Sequence, residues 1–127
     1  MTKIVVLIRR REGLSRGEFR DYYEQQHVPL ALRFIRPYLL DYRRTYLADE
    51  AGYADMVADD GEPERTDSFG YDCVTEMWFR DEAALESMFQ ALSRPDVRDA
   101  LTADEMRFLD RDSVRVIRCE EHRTAFA

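Results

Sequence analysis

The chain contains two histidines, and they stand in different company. His122 lies in a polar C-terminal stretch and reads as solvated. His27 falls on the series Phe19, Tyr23, His27, Leu30 and Phe34, whose steps of three or four place these side chains on one face of a helix. An imidazole titrates close to neutral pH, so a partly buried histidine can give or take a proton there, provided another group fixes its tautomer. A carboxylate suits that task. Asp104 is the candidate, beside Phe108 at the expected start of a short helical segment, where its charge would also suit a helix N-terminus. A histidine on an apolar face is often only a satisfied core residue, so spacing alone leaves both roles open.

No P-loop, glycine-rich dinucleotide turn, HExxH or serine-nucleophile elbow occurs. Cys73 and Cys119 lie in separate expected strands without a CxxC pair, which argues for two reduced thiols and against a zinc site. The expectation is chemistry by side chains, with no metal and no cofactor. With 26 acidic against 19 basic residues the net charge is -7, which repels phosphate backbones and anionic lipid headgroups. Nucleic acid and membrane are therefore not expected partners. The apolar run Ile4 to Ile8 is too short for a signal peptide and runs into Arg9-Arg10-Arg11, and no stretch approaches the ~20 apolar residues of a membrane span. The expected location is the cytoplasm.

At 127 residues the chain suits one domain, expected over residues 1–120 with a tail at 121–127. Residues 3–10 alternate apolar side chains on both faces of a strand. Ser15-Arg16-Gly17-Glu18 fits a capping box and opens a helix to about Ile35, with a bend near His27 where Pro29 removes a backbone donor. Residues 38–47 read as a second strand, Tyr71 to Phe79 as a third, and 113–120 as a fourth. A second helix starts near Asp81 and ends at Pro95, and Thr102-Ala103-Asp104-Glu105 suggests another capping box. The acidic stretch Ala48 to Gly70 is long for a connector, fitting either a lid or a solvated hairpin extension.

The resulting order is β-α-β-β-α-β, an α+β ferredoxin-like arrangement with a four-stranded antiparallel sheet and its helices on one face. The other face is left bare. Because strands one and three carry apolar residues on both faces, pairing of two copies through their sheets is expected. Strand one would lie between strands three and four, separating Cys73 from Cys119 by about 9.6 Å, beyond disulfide reach.

Gly13-Leu14-Ser15, Glu18-Phe19, Tyr22-Tyr23 and His27-Val28-Pro29-Leu30 together resemble the first motif of the EthD-type proteins. Tyr71-Asp72, Glu76-Met77-Trp78-Phe79, Asp104-Glu105 and Phe108-Leu109-Asp110 resemble the second half, although Tyr23 stands where the family often has tryptophan and the acidic loop is longer than usual. The resemblance implies a dimeric α/β barrel with a pocket between helices and sheet, and an enzyme without cofactor acting on a small aromatic or polyketide-derived molecule. It implies His27 as the proton-transfer residue and Asp104 as its partner. Tyr23, Trp78 and Phe108 are then expected to wall the pocket, and Arg9 to hold a substrate carboxylate. Decarboxylation is the expected reaction. The alternatives are a non-catalytic binding or accessory protein of a degradative or biosynthetic pathway, and a cofactor-free monooxygenase.

Overall fold

In the computed structural model the described residues are 1–48 and 69–127. Four strands form one antiparallel sheet in the order β2-β3-β1-β4: β1 Thr2–Ile8, β2 Asp41–Tyr46, β3 Cys73–Phe79 and β4 Arg115–Cys119. The helices are α1 Arg16–Tyr22, α2 Val28–Ile35, α3 Glu82–Ser93 and α4 Pro95–Glu105. Most of the acidic stretch considered as a lid lies outside the described residues.

Register decides which side chains meet the helices. In β1, Ile4, Val6 and Ile8 pair with Met77, Thr75 and Cys73 of β3, and these six face the helical layer. Lys3, Val5 and Leu7 face the other way, with Val74, Glu76 and Trp78. The cysteines follow the same parity. Cys73 lies opposite Ile8 on the helical face, whereas Cys119 lies opposite Lys3, at the other end of β1 and on the other face; both are free thiols.

The helical layer departs from one continuous helix. Ser15 caps α1 through the expected box, its hydroxyl accepting from the Glu18 amide while the Glu18 carboxylate accepts from the Ser15 amide. Tyr23–His27 then form a π-helical turn, closed by the Val28 amide donating to the Tyr23 carbonyl. Pro29 explains it. A proline ring collides with the carbonyl four residues back in an α-helix, and the wider turn relieves that crowding while the missing donor falls at the start of α2. The turn also re-phases the helix: beyond it Val28, Ala31 and Ile35 are buried, while Leu30 and Phe34 of the sequence stripe are only partly so.

The second half holds a further correction. Pro95 ends α3 as expected but also opens α4, at whose start its missing amide hydrogen costs nothing. Thr102 to Glu105 are therefore the last turn of an existing helix, and Asp104 is not helix-start charge. Buried apolar residues form two clusters, one around Ile4, Ile35, Phe79 and Leu85, the other around Ile8, Phe19, Tyr23 and Phe108. No helix among the described residues is long and apolar enough to cross a membrane.

Because Ser15 satisfies an orphan donor at the start of the segment that carries His27, Ser15→Ala is expected to lower the unfolding free energy by about 1 kcal/mol. The urea midpoint should fall with an unchanged denaturant slope.

Candidate active site

Where the two core clusters meet, they leave a cavity of about 260 Å³ between helices and sheet. Its floor comes from the sheet, chiefly β1 and β3, and its roof from the π-turn, α2, α3 and α4, with His27, Tyr23, Tyr42, Thr75 and Glu105 as polar members of an otherwise mainly apolar lining. An apolar cavity with a few placed polar groups is the usual form of a small-molecule site.

His27 is held by Asp104. The distance from Nδ1 to Asp104 Oδ2 is 2.9 Å, and the Asp104 side chain is 7% exposed against 12% for His27. The Tyr22 hydroxyl donates to the other carboxylate oxygen at 2.6 Å, and Arg107 stands 3.7 Å from that oxygen. With a carboxylate at Nδ1, that nitrogen carries the proton, which leaves Nε2 as the exchangeable position. The Phe108 ring lies 4.9 Å from the imidazole and 5.2 Å from Tyr22, walling the pair rather than the cavity.

The π-turn is what lets Tyr22 and His27 meet one carboxylate. In an α-helix, residues five apart point about 140° away from each other. The wider turn brings them onto a common side. A carboxylate in the last turn of a helix also faces the negative end of the helix dipole, so Asp104 depends on these donors.

Beneath His27, the Tyr23 and Thr75 hydroxyls share a hydrogen bond of 2.6 Å, and the Tyr42 hydroxyl lies 3.4 Å from that of Tyr23. Burial holds the Tyr23 phenol well above its ordinary range and raises that of Tyr42. Both stay protonated. Burial also pushes the Cys73 thiol up to about 11, which makes it a poor nucleophile near neutral pH.

Two other expected site residues lie elsewhere. Trp78 follows Met77, which lines the cavity, so strand alternation turns the indole to the opposite face. There Lys3 and Arg43 flank it, 4.5 Å and 5.0 Å from the ring, and its Nε1 donates to Glu121 at 2.9 Å. Arg9 borders a separate, wide cleft, where its Nε donates to the Gly70 carbonyl at 2.6 Å. Gly70 has φ +73°, and a Cβ there would come within 2.7 Å of the Arg9 guanidinium. Tyr22, Tyr42, Thr75 and Glu105 were not singled out from sequence. For Thr75 and Tyr42 the available signal was strand parity with Met77 and Tyr46.

Residues 11–112 match the family model described as the EthD domain. Among solved structures, an ethyl tert-butyl ether D family protein of Bacillus halodurans is 20% identical, with TM-score 0.57, covering 96% of this chain and 100% of its own. An Arabidopsis thaliana protein is 14% identical with TM-score 0.60, covering 99% and 100%. HapK of Hahella chejuensis is 13% identical with TM-score 0.58, covering 100% and 98%. These three share the fold. No curated protein matches the sequence.

Beside the site, Glu24 clamps helix to sheet, accepting from Arg44 Nε and Nη2 at 2.9 and 2.6 Å and from the Tyr46 hydroxyl. The Arg44 hydrogen bonds lead in holding the Glu24 carboxyl below its ordinary value, with burial opposing them. A carboxyl whose pKa is depressed on folding adds stability above its unfolded pKa, here about 4.5, and loses that contribution as pH falls through the lower folded value. Stability should fall on acidification below about pH 4.5, and Glu24→Gln should flatten that part of the profile. Urea midpoints between about pH 3 and 6 measure it.

Proposed function

The chain belongs to the EthD domain family, and from that premise we propose that it is a cofactor-independent enzyme in which His27 moves a proton on a small aromatic molecule held in the cavity. The observation that carries this reading is the placement of His27. Its Nδ1 is tied to a buried carboxylate while its ring lines a mainly apolar cavity. Asp104 is the positioning residue, fixing tautomer and orientation, and Tyr22 in turn fixes Asp104. Burial and the hydrogen bond to Asp104 together raise the pKa of the Tyr22 phenol, which keeps it a donor.

Decarboxylation of an aromatic acid fits this arrangement. His27, protonated at Nε2, delivers that proton to the ring carbon that bears the carboxylate, with a ring hydroxyl supplying electron density. The bond from that carbon to the carboxylate then breaks, carbon dioxide leaves, the electron pair returns to the ring and restores its aromaticity, and His27 is reprotonated from water. A carboxylate is poorly solvated in such a cavity, whereas the charge dispersed in the transition state suffers less, so the surroundings favour the step.

The proposal includes pairing of two chains through the bare sheet face. Val5, Leu7 and Val74 are neighbours on that face, and Ile117 of β4 extends the patch. Glu76 lies beside Val5 in the middle of the face, where its charge is met by Lys3, which also binds Glu121. An apolar patch whose charges are paired with one another is compatible with a specific interface.

His27→Ala should lower turnover of a substrate by about 10² to 10⁴ while the melting curve stays cooperative. Unchanged turnover would remove the acid-base reading. Ligand binding that survives in His27→Gln with no turnover in either protein would instead mark a binding module. For the pairing, equilibrium sedimentation at micromolar concentration should give twice the chain mass of 15.1 kDa, and a mass of 15.1 kDa would end that part of the proposal.

A further inference from the structure

The cavity carries a charge pattern that proton transfer does not use. Among the described residues its lining contains no lysine and no arginine, and its one carboxylate is Glu105. Glu105 ends α4, directly after Asp104, and lines the cavity together with Phe89 of α3 and Val116 of β4. Phe89 and Val116 are 39% and 54% exposed, so the mouth is on this side. Arg111 Nε donates to Glu105 Oε2 at 3.3 Å, yet Arg111 is no part of the lining. The carboxylate, and not the guanidinium, is therefore the charged group that borders the space a ligand would fill.

The interior offers no compensating charge. His27 is the one group able to become positive, and the buried Asp104 carboxylate already balances it. The remaining polar groups, Tyr23, Tyr42 and Thr75, are hydroxyls that suit a neutral donor or acceptor. Size fits this chemistry, since a dry cavity of about 150 Å³ takes a benzene ring, and 260 Å³ leaves room for substituents.

From this we propose that Glu105 is a specificity-determining residue, which makes the cavity bind small uncharged phenols in preference to their carboxylates. The proposal rests on the reading that the His27 cavity is the binding site. It implies that, for an aromatic acid, the decarboxylated product is held more tightly than the substrate and competes with it for the site as it accumulates.

The test is calorimetric titration of the full chain at neutral pH with 4-hydroxybenzamide and 4-hydroxybenzoate, which are nearly equal in shape and differ in charge. Wild type should bind the amide about tenfold more tightly, the order expected for like charges at a partly buried site. Glu105→Gln should bring the two within about threefold, chiefly by strengthening the carboxylate. Equal affinities in wild type, an unaltered gap in Glu105→Gln, or no binding of either probe would each overturn the assignment. Val116→Trp, a change at an exposed position, should block both probes by filling the mouth. If both bind it normally, they sit elsewhere and the cavity reading falls too. A Glu105 failure with Val116→Trp still blocking leaves that reading standing.

Discussion

Everything around the cavity depends on one buried carboxylate and the donors that make its burial tolerable. Asp104 sits where a negative charge is least welcome, in the last turn of a helix and almost out of solvent. An ionised side chain in that position must collect hydrogen bonds or give up its charge. It collects them from Tyr22 and His27, on the segment that crosses it. The same contacts that satisfy Asp104 lock the imidazole against rotation, so the cost of burying the charge and the orientation of the histidine are one problem with one solution.

The sheet contributes the opposite kind of surface. Its helical face presents aliphatic residues from β1 and the Thr75 and Tyr42 hydroxyls from its other half. Hydrogen bonding among Tyr23, Thr75 and Tyr42 leaves no buried side-chain polar atom without a partner among the described residues. The floor can therefore be polar in places without weakening the fold. Two core clusters meeting imperfectly above it leave the space that a single, fully interdigitated core would have filled.

The strands, the helix after Asp81 and the antiparallel order were legible because their signals are local: alternation, capping residues and prolines. His27 and Asp104 could be paired in sequence because an inward histidine needs an orienting group and because the resemblance to the EthD-type motifs pointed to that aspartate. What was not legible depended on phase. Trp78 looked like a pocket wall because strand β3 carries large residues on both faces, and composition alone does not say which face meets the helices. Met77 beside it would have decided the matter once the inner face was known. Asp104 looked like the start of a helix because Thr102 and Glu105 have capping spacing, but Pro95 had already begun that helix seven residues earlier. The role of Tyr22 was hidden because helical geometry forbids a pair five apart, and only the wider turn permits it.

That wider turn makes the site depend on arithmetic as well as chemistry. Between Tyr22 and His27 the five-residue interval brings both side chains to one carboxylate only while the backbone is wound wide. The same interval wound as an ordinary helix would leave the imidazole facing about 140° away from the tyrosine. Removal of one residue would instead put the pair four apart, a spacing that an ordinary helix holds on one face, so the wide turn stands in for one extra residue carried by the helix. Length and winding are thus exchangeable here, and a change in one without the other would separate folding from the geometry of the site in a single step.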